Sequence, residues 1–88
     1  MRYVTIDCTK LVDEASVHDT FAQALDFPAY YGRNLDALYD MLSSSPELKL
    51  TLTNVSALKK LFRYGDNLKL ALEDAAKDND LLILEYQE

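Results

Sequence analysis

Phe27-Pro28-Ala29-Tyr30-Tyr31-Gly32-Arg33-Asn34-Leu35-Asp36-Ala37-Leu38-Tyr39-Asp40-Met41-Leu42 is the stretch on which the reading of the fold turns. Pro28 has no backbone N–H and restricts the residue before it, so a helix running into it has to stop. Tyr30, Tyr31 and Gly32 then read as a short loop, in which Gly32 can supply the positive φ of a tight turn. Asn34 reads as an N-cap that opens a second helix over Leu35 to Ser43. At about 100° per residue, Leu35, Leu38 and Leu42 share one side of that helix and form its core stripe. Asp36, Asp40 and Ser43 share another side, and Tyr39 lies on the border.

Working outward, the chain alternates strand and helix signals. Upstream, Ser16 reads as an N-cap with Asp19 in the first turn, and Val17, Phe21, Ala24 and Leu25 give an apolar stripe ending before Pro28. Ser56 reads as a cap for a short helix carrying Leu58, Leu61 and Phe62. Asp66 or Asn67 reads as the start of the last helix, with Leu68, Leu72 and Ala75 on one side. Three stretches read as strands: Arg2 to Cys8, Leu48 to Thr53, and Leu81 to Tyr86. The middle one alternates Leu with Lys and Thr, which predicts partial exposure and an edge position. The last is a near-continuous apolar run, the pattern of a strand covered on both faces. The order is strand, two helices, strand, two helices, strand. Helical crossovers favour parallel pairing, so the expected fold is α/β, a three-stranded parallel sheet packed with about four helices.

Size and charge narrow the function. The chain has 88 residues, which predicts one domain over 1–88 with a modest core and little room for an enclosed catalytic cleft. Its net charge of -6 repels nucleic acid and anionic membrane and attracts basic proteins. Cys8 is the single cysteine, so no internal disulfide forms, and it reads as a small core residue. The N-terminus alternates, with no apolar run of signal-peptide length, and no segment is long enough to span a bilayer; a cytoplasmic location is expected.

The acidic pair Asp36 and Asp40 carries the chemistry. A first-turn carboxylate at Asp36 suits the helix dipole. Asp40 has no such reason: aspartate is a poor helix former there, and it lies four residues from a like charge. Tyr30 and Tyr39 beside the pair give the mix of aromatic anchors and charge found in binding hot spots. From spacing alone, an ordinary solvated helix face with half-buried tyrosines remains open.

The run Pro28-x-Tyr30-Tyr31-Gly32-x-Asn34-Leu35-Asp36-Ala37-Leu38-Tyr39-Asp40 resembles the barstar family, intracellular protein inhibitors of secreted barnase-type ribonucleases. Weaker similarity covers the whole chain, in length, acidity, element order and the final helix after Gly65. The resemblance implies the barstar fold and inhibition by occlusion, with no catalysis and no cofactor. Carboxylates on a rigid helix can substitute for phosphate among the Arg and Lys groups of a nuclease site. It also implies roles by position: Asp40 as the central inserted carboxylate, Asp36 as its acidic neighbour, and Tyr30 as the loop aromatic that meets the catalytic histidine. Gly32, Asn34 and Leu35 are the adjoining loop and cap contacts. Tyr39 stands where the family has tryptophan. Ala29 and Arg33 replace glutamates, Ser45 replaces a second tryptophan, and Ala75 aligns with a last-helix glutamate that Glu73 or Asp74 could restore. These departures imply weaker or redirected binding.

The leading reading is therefore an inhibitor of a basic ribonuclease, monomeric when free. The second is an immunity, antitoxin or adaptor module for another basic protein. An enzyme is disfavoured: His18 is the lone histidine, expected on an exposed helix face, and no nucleophile set, zinc spacing or phosphate-binding glycine loop is present. Lys59, Lys60 and Arg63 read as a solvated basic cluster.

Overall fold

The alternation of the middle strand fixes which way the sheet faces. The structure, a computed structural model, describes Met1–Glu88. In chain order it consists of β1 (Arg2–Asp7), a 3-10 turn (Cys8–Lys10), α1 (Glu14–Leu25), α2 (Leu35–Ser43), β2 (Leu48–Thr53), a 3-10 helix (Val55–Leu61), α3 (Arg63–Asp78) and β3 (Leu82–Tyr86). The three strands are parallel and ordered β1-β2-β3. Val4 and Leu84 flank Leu50, and Ile6 and Tyr86 flank Leu52. The fold class is the α/β one expected.

The middle strand is not an edge, because both its neighbours are hydrogen-bonded to it. Its alternation reports an open face instead. Stepping through the sheet in one direction with crossovers of one hand puts the helices on a single side. Leu48, Leu50 and Leu52 point into that side and are buried. On the other side lie Tyr3, Lys49 and Ile83 in one row, where Tyr3 is 73% and Ile83 45% exposed. The apolar run of β3 is therefore covered on one face only. Lys49 Nζ and Glu85 pair at 3.1 Å across the open face.

The cap of α1 is Asp13 rather than Ser16. Asp13 Oδ1 accepts from the Ser16 backbone N–H at 2.8 Å, and Ser16 Oγ accepts from Asp13 N–H at 3.0 Å. This reciprocal box makes Ser16 the third helical residue, so the helix starts earlier than a lone Ser cap predicts. It ends where Asp26 turns left-handed and Phe27 N–H closes on the Ala22 carbonyl at 3.0 Å.

The start of α3 also lies upstream of Asp66 and Asn67. No side-chain cap sets it. The chain reverses at Phe62, which has a positive φ of 53° and is 82% exposed rather than part of an apolar stripe. Gly65 permits the tight approach that follows: a Cβ there would collide with the Leu58 carbonyl oxygen. The helix expected from Ser56 is the 3-10 segment beginning at Val55.

One core joins the layers. Ile6, Leu50 and Leu52 from the sheet meet Val17 and Phe21 of α1, Leu38 and Leu42 of α2, and Leu68, Leu72 and Ala75 of α3. Burying a side chain the size of Phe21 contributes about 1.5–3 kcal/mol. Cys8 is in this core, and burial pushes its thiol up to about 11, so it is an inert packing residue. No helix is long and apolar enough to cross a membrane.

Candidate protein-binding surface

The loop between α1 and α2 is built turn by turn. Tyr31 N–H donates to the Pro28 carbonyl at 2.9 Å, making a turn that holds Tyr30 at its tip. Tyr30 is 85% exposed, while Tyr31 next to it is buried and packs on Phe27 at a ring separation of 4.7 Å. Consecutive tyrosines thus divide the work, one anchoring the loop and one facing out.

The glycine acts differently from the sequence expectation. Gly32 has no positive φ; Arg33 carries it, at 56°. What Gly32 supplies is space, since a Cβ there would lie 3.1 Å from the Ala37 Cβ. Arg33 points back to α1, where its guanidinium pairs with Asp19 at 2.6 Å. Its charge is therefore drawn away from the α2 face.

Asn34 caps α2, its Oδ1 accepting from Ala37 N–H at 2.7 Å. Leu38 and Leu42 are buried and Leu35 is half-buried. Asp36 and Asp40 are both exposed. Of the sequence-selected residues, Tyr30, Gly32, Asn34, Asp36 and Asp40 thus stay accessible, and Leu35 and Tyr39 are only partly so. They occupy the loop and the first two turns of one short helix.

The structure adds a second helix to this surface. Tyr39 leaves α2 and donates its hydroxyl to the Asp78 carboxylate on α3. That hydrogen bond first, then partial loss of solvent, and then the charges of Asp78, Asp74 and Asp40 hold the Tyr39 phenol above its ordinary value. Asp74 and Asp78 are exposed. Sequence reasoning missed this pair as a surface; they repeat on α3 the i,i+4 acidic spacing of Asp36 and Asp40, the one signal in the sequence that could have found them. Ala75, aligned with the family's last-helix glutamate, is 0% exposed and belongs to the core. Glu73 faces the other way and accepts from the Tyr86 hydroxyl at 2.8 Å. Of Glu73 and Asp74, Asp74 is thus the one whose charge acts on Tyr39.

The end of α2 is fixed by Asn79, which sequence reasoning missed. Its Nδ2 donates to the Leu42 carbonyl at 2.9 Å and to the Ser45 carbonyl at 3.0 Å, and its Oδ1 accepts from Leu81 N–H. One buried amide therefore ties the C-terminus of α2 to the turn between α3 and β3, setting the distance between the two acidic helices. Ser45 turns its hydroxyl onto the Pro46 carbonyl.

His18 is the other residue the sequence misplaced. It is 2% exposed rather than on a solvated face. Both its ring nitrogens meet tyrosine hydroxyls, as a buried imidazole requires to avoid an unpaired polar atom. Lys59, Lys60 and Arg63 are exposed, as a solvated cluster would be.

The arrangement suits the binding of cationic groups. No three His, Cys, Asp or Glu side chains converge to hold a metal ion. The surface presents rigidly mounted carboxylates around an aromatic ring, with a second aromatic on the adjoining loop. Such groups accept charge-assisted hydrogen bonds from Arg and Lys.

Residues 1–84 match a family model described as Barstar (barnase inhibitor). The chain is also similar to a protein of Bacillus subtilis (strain 168) described as "Putative ribonuclease inhibitor YrdF". The two are 48% identical over 95 residues, covering 97% of this chain and all of that protein.

Proposed function

Since the chain belongs to the Barstar family, we propose that it inhibits a basic, barnase-like secreted ribonuclease by occluding the active site with the α2 face and the adjoining loop. The family consists of inhibitors, and the chain is not an enzyme. The contact residues are Tyr30, Gly32, Asn34, Leu35, Asp36, Tyr39 and Asp40, joined by Asp74 and Asp78 of α3. Asp40 enters the phosphate site of the nuclease and Tyr39 packs at its rim. The chain works in the cytoplasm as a single monomeric domain, protecting the cell from the enzyme.

The observation that supports this reading is the juxtaposition of two exposed acidic pairs, one on each helix, with Tyr39 bridging them. A ribonuclease site binds a chain of phosphates, and carboxylates about one helical turn apart can meet several cations at once. Structural economy does not account for the arrangement, since each like-charged i,i+4 pair costs a few tenths of a kcal/mol.

The test is inhibition of barnase by the purified chain. Inhibition at near-stoichiometric ratio, weakened at least tenfold in Asp40→Ala, supports the mechanism. Unchanged inhibition in that variant would exclude Asp40 as the inserted carboxylate.

A second reading takes the same surface to a different basic protein. Ala29 carries no charge and Arg33 is paired with Asp19, so the loop itself brings no carboxylate to the partner. A pull-down that returns a basic protein without nuclease activity would favour that reading.

A further inference from the structure

We infer that the start of α3 carries a second binding surface of opposite sign: Phe62, exposed among Lys59, Lys60 and Arg63, takes a short stretch of single-stranded nucleic acid, a base stacked on its ring and phosphates on the cations. This surface is separate from the acidic one and does not depend on what that one binds.

The fold gives no reason for a phenylalanine at position 62. The side chain is 82% exposed and belongs neither to the core nor to the residues packed against it. Its backbone (φ 53°, ψ -129°) lies where glycine is at ease and a bulky residue is strained. The conformation is nonetheless fixed, since Phe62 N–H donates to the Lys59 carbonyl at 3.0 Å and the Phe62 carbonyl accepts from Gly65 N–H at 3.1 Å. Glycine would make the same turn without strain, and a polar residue would suit the exposure. Strain sustained with no gain in packing points to a contact outside the chain.

The cations around the ring are uncommitted. None of the three ion pairs in the chain includes Lys59, Lys60 or Arg63, and all three residues are exposed. The Lys60 ammonium donates to the Thr9 carbonyl at 3.5 Å. That contact places it beside the 3-10 turn ending in Lys10 and brings a fourth cation to this end of the molecule. Cations alone would suit any anion. An unobstructed ring among them suits a ligand with flat faces and regularly spaced negative charge, which is single-stranded nucleic acid. An acidic peptide has the charge but offers the ring nothing to stack on.

The net charge of -6 does not forbid this partner, because the acidic surface lies too far away. Asp74 and Asp78 follow Arg63 by 11 and 15 residues, about 16–23 Å along a helix rising ~1.5 Å per residue. At physiological ionic strength the field of exposed charges is screened within about 8 Å. Asp66, in the first turn of α3, is the carboxylate nearest in sequence, and it keeps the affinity modest.

The probes are an octamer of uridylate and an octamer of glutamate, matched in length. Binding is read by fluorescence anisotropy and mapped by backbone amide shifts. The uridylate octamer should bind the wild type and shift Lys59 to Arg63 while leaving Asp36 and Asp40 unmoved. Phe62→Ala should lose about tenfold in affinity. Affinity should fall roughly a hundredfold per tenfold rise in salt if about three phosphates are contacted, and Lys59→Gln with Arg63→Gln should flatten that dependence. Phe62→Gly keeps the turn and removes the ring. It should melt above the wild type and bind no better than Phe62→Ala, an outcome that a structural role for the ring would not give.

A uridylate octamer that fails to bind at low salt, or binds Phe62→Ala as well as the wild type, would overturn the proposal. So would a glutamate octamer that binds as tightly, since the surface would then be one for acidic peptides. A Phe62→Gly variant that melts below the wild type would show that the ring serves the fold and would remove the case for the site.

Discussion

The Tyr39 hydroxyl donates to the Asp78 carboxylate, so the aromatic at the centre of the acidic surface is held by both helices that form it. The bond fixes the ring and at the same time directs one carboxylate inward. Its worth differs between the free chain and the complex. In the free chain it is an exposed hydrogen bond in competition with water and contributes little. In a complex it orders a ring that would otherwise be immobilised on binding. Tyr39→Phe is therefore expected to lower the melting temperature only slightly and to weaken partner binding more. A double-mutant cycle with Asp78→Ala, read by calorimetry on both folding and binding, checks this. Equal coupling in the two measurements would mean the bond plays no part in preorganisation.

Salt should act on association more than on dissociation. The net charge of -6 and the clustering of Asp36, Asp40, Asp74 and Asp78 on neighbouring helices predict steering of a basic partner, and long-range steering is screened within about 8–10 Å at physiological ionic strength. Stopped-flow association rates should fall at least tenfold between low and high salt, with a much smaller change in the dissociation rate. A salt-independent association rate would argue against a basic partner.

Asn79→Ala should be among the more costly single changes outside the apolar core. It leaves the Ser45 carbonyl and the Leu81 N–H without their partner and takes one donor from the Leu42 carbonyl, which backbone N–H groups still reach. Losing such a set costs roughly 2–4 kcal/mol when each unpaired buried group costs about 1–3 kcal/mol and some recover water. Chemical denaturation measures the loss. Because Asn79 also spaces α2 from α3, inhibition should weaken while the variant is still fully folded.

Gly65→Ala tests the approach of α3 to the preceding 3-10 helix. Alanine normally favours a helix over glycine by about 1 kcal/mol. Here the added Cβ meets the backbone carbonyl of Leu58, which cannot move aside as a side chain would. The expected sign is thus reversed, with destabilisation of about 1–3 kcal/mol. A stabilised variant would show that the segment relaxes freely.

Stability should fall with acidity in two stages. His18 is held below its ordinary value, chiefly by burial. In the unfolded chain it takes up a proton near pH ~6.5, whereas the folded chain does so only at lower pH. Between those two values the unfolded state binds more protons, so stability drops as pH falls, by at most about 1.4 kcal/mol per pH unit. It levels off once the folded imidazole is also protonated. A further loss follows in the carboxylate range, where Asp13, held down by the Ser16 backbone N–H, and Asp7, held down by Thr9, lose their ionised form. The first stage should be missing in His18→Gln when unfolding is followed by circular dichroism.

What the sequence determined by itself was local. Periodicity located the three strands and the helix of Leu35 to Ser43, because side-chain spacing reports which face meets the core. Asn34 marked its cap, since the bond to Ala37 spans three residues. The run from Pro28 to Leu42 carried the family and, with it, Asp36 and Asp40. Tertiary structure decided whatever depended on a distant neighbour. The leucine–polar alternation of Leu48 to Thr53 is the same for an edge strand and for a central strand with one open face. Only pairing on both sides made it central. Histidine at position 18 has the same periodic position whether solvent or two tyrosines meet it, and Tyr31 and Tyr64 lie 13 and 46 residues away. The acidic surface itself divides along this line. Its α2 half is legible in the spacing of Asp36 and Asp40. Its α3 half exists because the packed core brings Asp74 and Asp78 to Tyr39.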